Sequence, residues 1–328
     1  MKKQTAPTMK DVAKEAGVAL GTVSKVVNGI PVGEEHRKRV ESAMKKLNYQ
    51  VNQYARGLKT NKTNCVALVM PSLRHPFFAA LTDALTNSLM DAGYRAILMI
   101  TNFDSVTENH CFTLAQQHKI DGIIALSYSR NLEINDSVPI VTIDRHFTDH
   151  IPCVSSDNYQ GGMMAAEKLI CFGCENLLYL RIGSNLYGEV EKRGFGFELA
   201  CKMAGVRYQN LILGEQDHEN TFFRYLDEHI QEGKLEFDGI FCNTDMLAVQ
   251  VCEFLKSRKI RVPEDVQIIG YDDITDFATG RYLCSTIVQP VAQMAQTAVS
   301  LLLNGQTALA PANVALPVHY AVGGTTRE

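Results

Sequence analysis

Met9-Lys10-Asp11-Val12-Ala13-Lys14-Glu15-Ala16-Gly17, then Leu20-Gly21-Thr22-Val23-Ser24-Lys25-Val26-Val27-Asn28, is the stretch on which this 328-residue chain turns. Val12, Ala13 and Ala16 recur at helical spacing behind Thr8, a residue whose hydroxyl can cap a helix, and Gly17 is suited to ending one. After a tight turn Val23 and Val27 stand four apart and face inward together, which leaves Gly21, Thr22 and Lys25 outward. A third helix is predicted over about Glu34 to Asn48, with Val40, Met44 and Leu47 on its buried side and Arg37, Lys38, Lys45 and Lys46 outward. Two short helices across a tight turn, backed by a third, have helix-turn-helix spacing.

Charge separates this head from the rest of the chain. Residues 1–62 carry 13 Lys plus Arg against 5 Asp plus Glu, a net of +8, while the remainder carries 19 against 31, a net of −12. The overall charge of −4 therefore belongs to a molecule with one basic end, for which nucleic acid is the expected partner.

The run Met9 to Val18, with Thr22 to Asn28, Leu47-Asn48-Tyr49 and Ala55-Arg56-Gly57-Leu58-Lys59, resembles the head of the lactose-repressor (LacI/GalR) family of bacterial transcription regulators. The resemblance implies a helix-turn-helix head over residues 1–51 and a hinge helix and linker over 52–63. It implies that Leu20, Gly21 and Lys25 enter the major groove and that Thr8, Thr22, Ser24, Asn28 and Tyr49 meet phosphates. In the hinge, Asn52 would cap a helix formed on DNA, Leu58 would wedge into a base step through the minor groove, and Lys59 would lie against the DNA. Three departures weigh on it. Ala19 stands where the family has a capping Ser, the turn Gly29-Ile30-Pro31-Val32 is short, and Gly21 replaces a base-reading side chain.

Beyond Asn64 the pattern changes. Apolar runs at Cys65 to Met70, Tyr94 to Ile100, Gly122 to Leu126 and Ile140 to Ile143 alternate with helical stretches such as Phe77 to Asp91 and Asn109 to His118. A second series runs Leu177 to Ile182, Leu211 to Leu213, Gly239 to Cys242 and Val266 to Gly270. Strands alternating with helices predict parallel sheets covered on both faces. Gly270 to Ile274 and Ser285 to Pro290 match late signatures of the same family, whose core resembles the periplasmic sugar-binding proteins. The fold expected is thus an all-α helix-turn-helix head with a hinge helix, then a two-lobed α/β core over 64–328. Lobe one takes about 64–157 and 290–318, and lobe two about 158–289 and 319–328.

Ligands of open α/β sheets bind beyond the carboxyl ends of the strands. By resemblance Phe77 forms an aromatic wall, Arg193 forks onto ligand oxygens and Asp272 accepts from ligand hydroxyls, on the opposite side of the ligand from Arg193. Asp144 and Thr244 sit at equivalent strand ends, where helix capping is the competing role; Phe78 reads as core. Such a set suits a neutral polyhydroxylated ring, and hence a sugar or sugar derivative, although a purine or a protein corepressor docking outside the lobes also satisfies it.

No P-loop, Gly-x-Ser-x-Gly elbow or HExxH pair occurs in the sequence, so it reads as a binding protein and not an enzyme, with no cofactor or metal expected. Nine scattered cysteines and one lone CxxC, Cys171 to Cys174, fit structural thiols in a reducing compartment. With neither an apolar leader nor an 18-residue apolar window, the expected location is the cytoplasm, away from membrane. The expected protein is a homodimer on pseudopalindromic double-stranded operator DNA, since a two-fold dimer reads two half-sites; the family's tetramers use a C-terminal extension beyond the length seen here. A solute-binding protein of the transport type is the alternative, and it has no use for the basic head. A sugar kinase would need a phosphate loop.

If the head grips DNA through roughly 6 to 10 phosphates per dimer, affinity is expected to fall about 1,000-fold or more between about 50 and 200 mM salt. Mobility-shift titrations across that range check it; salt-insensitive binding would contradict the charge argument.

Overall fold

The computed structural model describes residues 7–49, 63–117, 120–127, 138–147, 150–183, 188–214, 220–304 and 313–327. They fall into two compact units, residues 1–63 and 64–328. Asn52, Leu58, Lys59 and the rest of the expected hinge lie outside the described residues.

In the first unit α1 (Met9–Ala16) opens with a reciprocal cap: Asp11 N donates to Thr8 Oγ1 while Thr8 N donates to the Asp11 carboxylate. The Thr8 hydroxyl, which donates to that carboxylate at 2.7 Å, and then the Thr8 N–H hold the Asp11 carboxyl below its ordinary value. Gly17 ends the helix at φ 60°, and its carbonyl accepts from the Arg39 guanidinium. α2 (Leu20–Val27) starts at Ala19 with no side-chain cap, as its methyl group dictates. α3 (Glu34–Lys46) stops about two residues before the expected end, because Asn48 adopts φ 49°. Val12, Val23 and Val40 form the centre of this small core; Ala43 is buried with them, while Met44, Leu47 and Val27 pack only partly buried around its rim.

The second unit holds two sheets. Lobe one contains β1 (Cys65–Met70), α4 (Pro76–Asp91), β2 (Arg95–Ile100), α5 (Ser105–Gln117), β3 (Gly122–Ala125), β4 (Ile140–Ile143) and β5 (Cys153–Ser156). Lobe two contains α6 (Asn158–Cys171), β6 (Asn176–Ile182), α7 (Lys192–Ala204), β7 (Arg207–Leu213) and α8 (Asn220–Glu228). It continues through a small hairpin of β8 (Ile230–Gln231) and β9 (Lys234–Leu235) into β10 (Gly239–Cys242), α9 (Asp245–Ser257), β11 (Gln267–Tyr271) and β12 (Ser285–Val288). The chain then returns to lobe one as α10 (Val291–Asn304) and β13 (Asn313–Leu316), and ends in lobe two with β14 (His319–Ala321). The sheet orders are β13-β5-β4-β3-β1-β2 and β14-β12-β11-β10-β6-β7, parallel throughout except for β14 on β12. The lobes thus exchange chain three times: after Ser156, after Val288 and between Leu316 and His319.

Continuous burial explains why the central strands read as unbroken apolar runs. Every residue of β1, β3, β4, β10 and β11 is buried, since helices cover both faces. Leu81, Leu85 and Leu89 of α4 repeat at four residues and pack with Ala295, Ala298 and Leu302 of α10 on one face of the first sheet. At about 1.5 to 3 kcal/mol for each large side chain removed from water, such faces hold each lobe as a unit.

One helix pair departs from side-chain packing. A Cβ on Gly162 of α6 would lie 1.8 Å from the carbonyl oxygen of Arg193, and one on Gly196 of α7 would lie 2.0 Å from that of Tyr159. The two helices therefore meet backbone to backbone, which brings the first turn of α7, with Arg193, into the lobe. Gly162→Ala is expected to destabilise the core by roughly 1 to 3 kcal/mol, the cost of overpacking, as a lower denaturant midpoint. An unchanged midpoint would rule out the close crossing.

Candidate effector cleft

Within the second unit the carboxyl ends of the two sheets border a cleft of about 530 Å³. Lobe one contributes Arg74 to Phe78 after β1, Leu126 and Ser127 after β3, and Asp144 and Arg145 after β4. Lobe two contributes Arg181 to Gly183, Gly188, Val190, Glu191, Arg193, Asn243, Thr244, Asp272 and Gln289. Parallel strands all point their carboxyl ends the same way, so the residue just past each strand falls at the cleft. Phe77, Asp144, Arg193, Thr244 and Asp272, the five effector-site residues singled out in the sequence, all line it.

Arg193 is 3% exposed and satisfied almost wholly within lobe two. Its Nε donates to Asn158 Oδ1 and its Nη1 to the Asn243 carbonyl, both at 2.6 Å. The guanidinium carbon lies 3.5 Å from the centroid of the Tyr271 ring, whose π face favours the charge. Asp272 Oδ1 is 3.9 Å from Nη1 and accepts from Gln289 Nε2 at 2.7 Å. Arg193 and Asp272 are therefore neighbours on one wall. The expectation that they face each other across a ligand is corrected: both belong to lobe two, Arg193 in the first turn of α7 and Asp272 just after β11.

Three buried polar atoms at the cleft have no partner in the chain: Asp272 Oδ2, Asp144 Oδ1 and His75 Nδ1. Burial drives the Asp272 carboxyl well above its ordinary value against the pull of Arg193, and drives Asp144 up to about 6. His75 is pushed down to about 4 by burial and by the Arg193 charge, so it is neutral at neutral pH. Its Nε2 lies 3.8 Å from Asp272 Oδ2, across the cleft from lobe two. A buried group left unpaired costs about 1 to 3 kcal/mol, so a ligand with hydroxyls gains by filling these positions. Phe77 and Phe78, with ring centroids 5.9 Å apart, supply the apolar wall, and Phe103 extends it. Phe78, expected in the core alone, serves both surfaces.

Capping and cleft roles coincide at Thr244, whose Oγ1 accepts from Leu247 N at 3.2 Å at the start of α9. Asp157 caps α6 by accepting from Gln160 N and is not among the cleft residues. Sequence reasoning did not single out His75, Arg145, Arg181, Asn243 and Gln289. His75, Arg145, Asn243 and Gln289 follow strands directly or by a short loop and were open to the same strand-end rule; Arg181 lies inside β6, paired with Glu191, and carried no such signal. In the head, Leu20, Gly21 and Lys25 are exposed along α2, and Thr8 is exposed at the start of α1. Thr22, Ser24, Asn28 and Tyr49 are half-buried, and Asn28 Nδ2 already donates to the Ser24 carbonyl.

All nine cysteines are free thiols. Cys174 is buried, donates to the Asp238 carbonyl at 3.3 Å and accepts from Gln267, and its thiol is pushed up to about 11 by burial. That is a structural role for the lone CxxC. Among the described residues no group of three His, Cys, Asp or Glu is placed to hold a metal, and no helix is long and apolar enough to cross a membrane.

Comparison with known proteins agrees with both units. Residues 8–52 match the profile of bacterial regulatory proteins of the lacI family, and residues 63–309 match that of periplasmic binding proteins and the sugar binding domain of the LacI family. The chain is 33% identical over 331 residues to the ribose operon repressor of Bacillus subtilis, covering 98% of this chain and 99% of that one. It is 32% identical to the sucrose operon repressor of Streptococcus mutans, covering 90% and 91%. Among solved structures, the Lac repressor bound to ONPG in its repressed state superposes with a TM-score of 0.82 at 23% identity, covering 98% of this chain and all of that one. A periplasmic binding protein/LacI regulator of Alkaliphilus metalliredigens complexed with D-xylulofuranose gives 0.67 at 27% identity, covering 81% of this chain and all of that one.

The raised carboxyl of Asp144 makes a pH test. The folded state holds this proton more tightly than the unfolded chain, whose value is 3.8, so the favourable contribution present below about pH 4 is lost as pH rises through about 6. His75 has the opposite sign: lowered from 6.5 to about 4, it costs stability as pH falls through the same window. The two offset each other in the wild type. Asp144→Asn is therefore expected to gain on the wild type between about pH 4 and 6.5 by on the order of 2 to 3 kcal/mol and then run parallel to it. Denaturant midpoints at about pH 4, 5, 6 and 7 check this; a constant difference would place Asp144 in water.

Proposed function

The chain belongs to the LacI family of bacterial regulatory proteins, and from that premise we infer that it is a sequence-specific DNA-binding repressor whose hold on its operator is set by a sugar bound in the cleft. The observation that carries this reading is the pairing, in one chain, of a +8 helical head with a cleft where buried carboxylate oxygens of Asp144 and Asp272 face an aromatic wall. The effector is a neutral sugar: Arg181 is paired with Glu191 and Arg193 is enclosed by Asn158, Asn243, Tyr271 and Asp272, so the deep cations are already matched. Phe77 packs against the ring, Asp272 and Asp144 accept from hydroxyls, Arg193 donates to ring or hydroxyl oxygens, and Thr244 adds a hydroxyl contact.

On DNA, Leu20, Gly21 and Lys25 read the major groove, and Thr8, Thr22, Ser24, Asn28 and Tyr49 hold phosphates. Asn52, Leu58 and Lys59 of the hinge complete the contact through the minor groove. The operator is pseudopalindromic because the protein acts as a homodimer. Support for a second copy comes from the sheet edges. Among the described residues β2 and β7 each end their sheet with one side unpaired, and Leu98 and Ile212 on them, with Met90, Val106 and Met203 on α4, α5 and α7, are exposed apolar side chains. Its role is binding, without catalysis.

The test is a sugar screen by thermal shift and calorimetry on the full-length protein, followed by operator titrations with and without the sugar that binds. Asp272→Asn keeps the oxygen that accepts from Gln289 but loses the charge. It is expected to weaken sugar binding by about 2 kcal/mol, about 30-fold, with sugar-free operator binding within a few-fold of wild type. Undiminished sugar affinity in this variant would remove Asp272 from the site.

A further inference from the structure

Ser156 ends β5, where the chain first leaves lobe one, and it is completely buried without lining the cleft. Its Oγ donates to Gln289 Oε1 at 2.9 Å, and Gln289 stands just after β12, where the chain crosses back. Gln289 Nε2 in turn donates to Asp272 Oδ1 at 2.7 Å. A hydroxyl has one proton, and that of Ser156 is committed to Gln289, so in its 3.1 Å contact with Ser156 Oγ the Tyr271 hydroxyl is the donor. Three hydrogen bonds thus run in one direction, from Tyr271 through Ser156 and Gln289 to the Asp272 carboxylate. They leave Oδ2 of that carboxylate toward the cleft.

The other side of Ser156 leads to the same place. Its backbone carbonyl accepts from Asn158 Nδ2 at 3.0 Å, and Asn158 Oδ1 accepts from Arg193 Nε. Arg193 closes the ring, lying over Tyr271 and 3.9 Å from Asp272. The next residue, Asp157, donates its backbone N–H to the Leu316 carbonyl at 2.7 Å, which ties the first crossing to the third. Ser156, Asn158, Arg193, Tyr271, Asp272 and Gln289 are all buried, so Arg193 and Asp272 cannot shift onto a ligand independently of Ser156 without leaving donors unpaired.

The geometry points to Ser156 as the positioning residue that carries occupancy of Arg193 and Asp272 to the crossings between the lobes, so that it sets the coupling between sugar and operator and not the affinity for either. This rests on the functional reading above. Removing the hydroxyl cuts Tyr271 and Gln289 from β5 but takes away none of the bonds of Arg193 and not the one from Gln289 to Asp272.

The full-length protein and Ser156→Ala are titrated with D-ribose and with sucrose by calorimetry. Operator affinity is then read with and without the sugar that binds, on a duplex enriched from a random pool by the wild type. In the variant, both the sugar Kd and the sugar-free operator Kd are expected within about threefold of wild type, while the sugar-induced change in operator affinity shrinks about tenfold. Coupling equal to wild type overturns the proposal, as does sugar affinity lost to the same extent as coupling, the result of a merely structural role. Should neither sugar bind the wild type, that failure belongs to the functional reading, and hydrogen exchange on the ligand-free full-length proteins decides the relay. Ser156→Ala is then expected to speed exchange at the Asp272 and Met294 amides about fivefold, with β6 unchanged. Wild-type exchange at both amides, or faster exchange throughout lobe two, overturns it.

Discussion

A full positive charge at 3% exposure, that of Arg193, is the constraint on which the core is built. An unpaired buried guanidinium would cost several kcal/mol, so the surrounding elements must each supply something to it. β10 gives the Asn243 carbonyl at its end, α6 gives Asn158 in its first turn, β11 gives the face of Tyr271, and the residue after β11 gives the Asp272 carboxylate. Gly162 and Gly196 allow α6 and α7 to approach closely enough for this. The carboxylate nearest the guanidinium keeps one oxygen unpartnered, as does Asp144 across from it, where His75 keeps its Nδ1 unpartnered. Lobe two thus arrives at the cleft internally matched in charge but short of hydrogen-bond donors, a deficit that hydroxyls meet and phosphates do not.

Much of the architecture could be read from residues alone where one force dominates. β1, β4 and β10 are buried on both faces, so their apolar runs give their bounds directly. Thr8 and Gly17 mark α1 because caps are local chemistry. Legibility fails where context decides. β7 begins at Arg207, not near Leu211, because an edge strand tolerates Arg-Tyr-Gln-Asn on its open side and shows no apolar run there. α5 begins at Ser105, four residues before its expected start, since Asp104 accepting from Thr107 is a cap that reads equally as a loop. β13 pairs with a strand more than 150 residues earlier in sequence, and its half-exposed Asn-Val-Ala-Leu carries no signal of that partner.

The site divides along the same line. Strand ends are local, and they locate Asp144, Thr244 and Asp272. Which wall each residue belongs to is not local, and the placement of Arg193 opposite Asp272 failed for that reason: α7 and β11 come together only through the glycine crossing and the parallel order of the second sheet. His75 gave no sign of its role because its contact with Asp272 joins residues almost 200 apart. Its low basicity is likewise a product of burial beside Arg193 and not of its neighbours in sequence.

Regulation then reduces to a question of which groups differ between two arrangements of the lobes. A sugar can shift operator binding only by as much as it prefers one arrangement, and the operator must shift sugar binding by the same factor. Contacts confined to lobe two, such as those around Arg193, are the same in every arrangement and contribute affinity without preference. Contacts that span the lobes carry the preference. Among the described residues they include the approach of His75 to Asp272, the Ser156–Gln289 and Ser156–Tyr271 hydrogen bonds, and the Glu189 N–H donated to the Asp144 carbonyl. The first lies in the cleft and is open to ligand, while the two bonds of Ser156 lie at the first crossing and are buried. A ligand that bridges Asp272 with Asp144 or His75 therefore favours one lobe arrangement directly, and the crossings convert that choice into a geometry of the whole core.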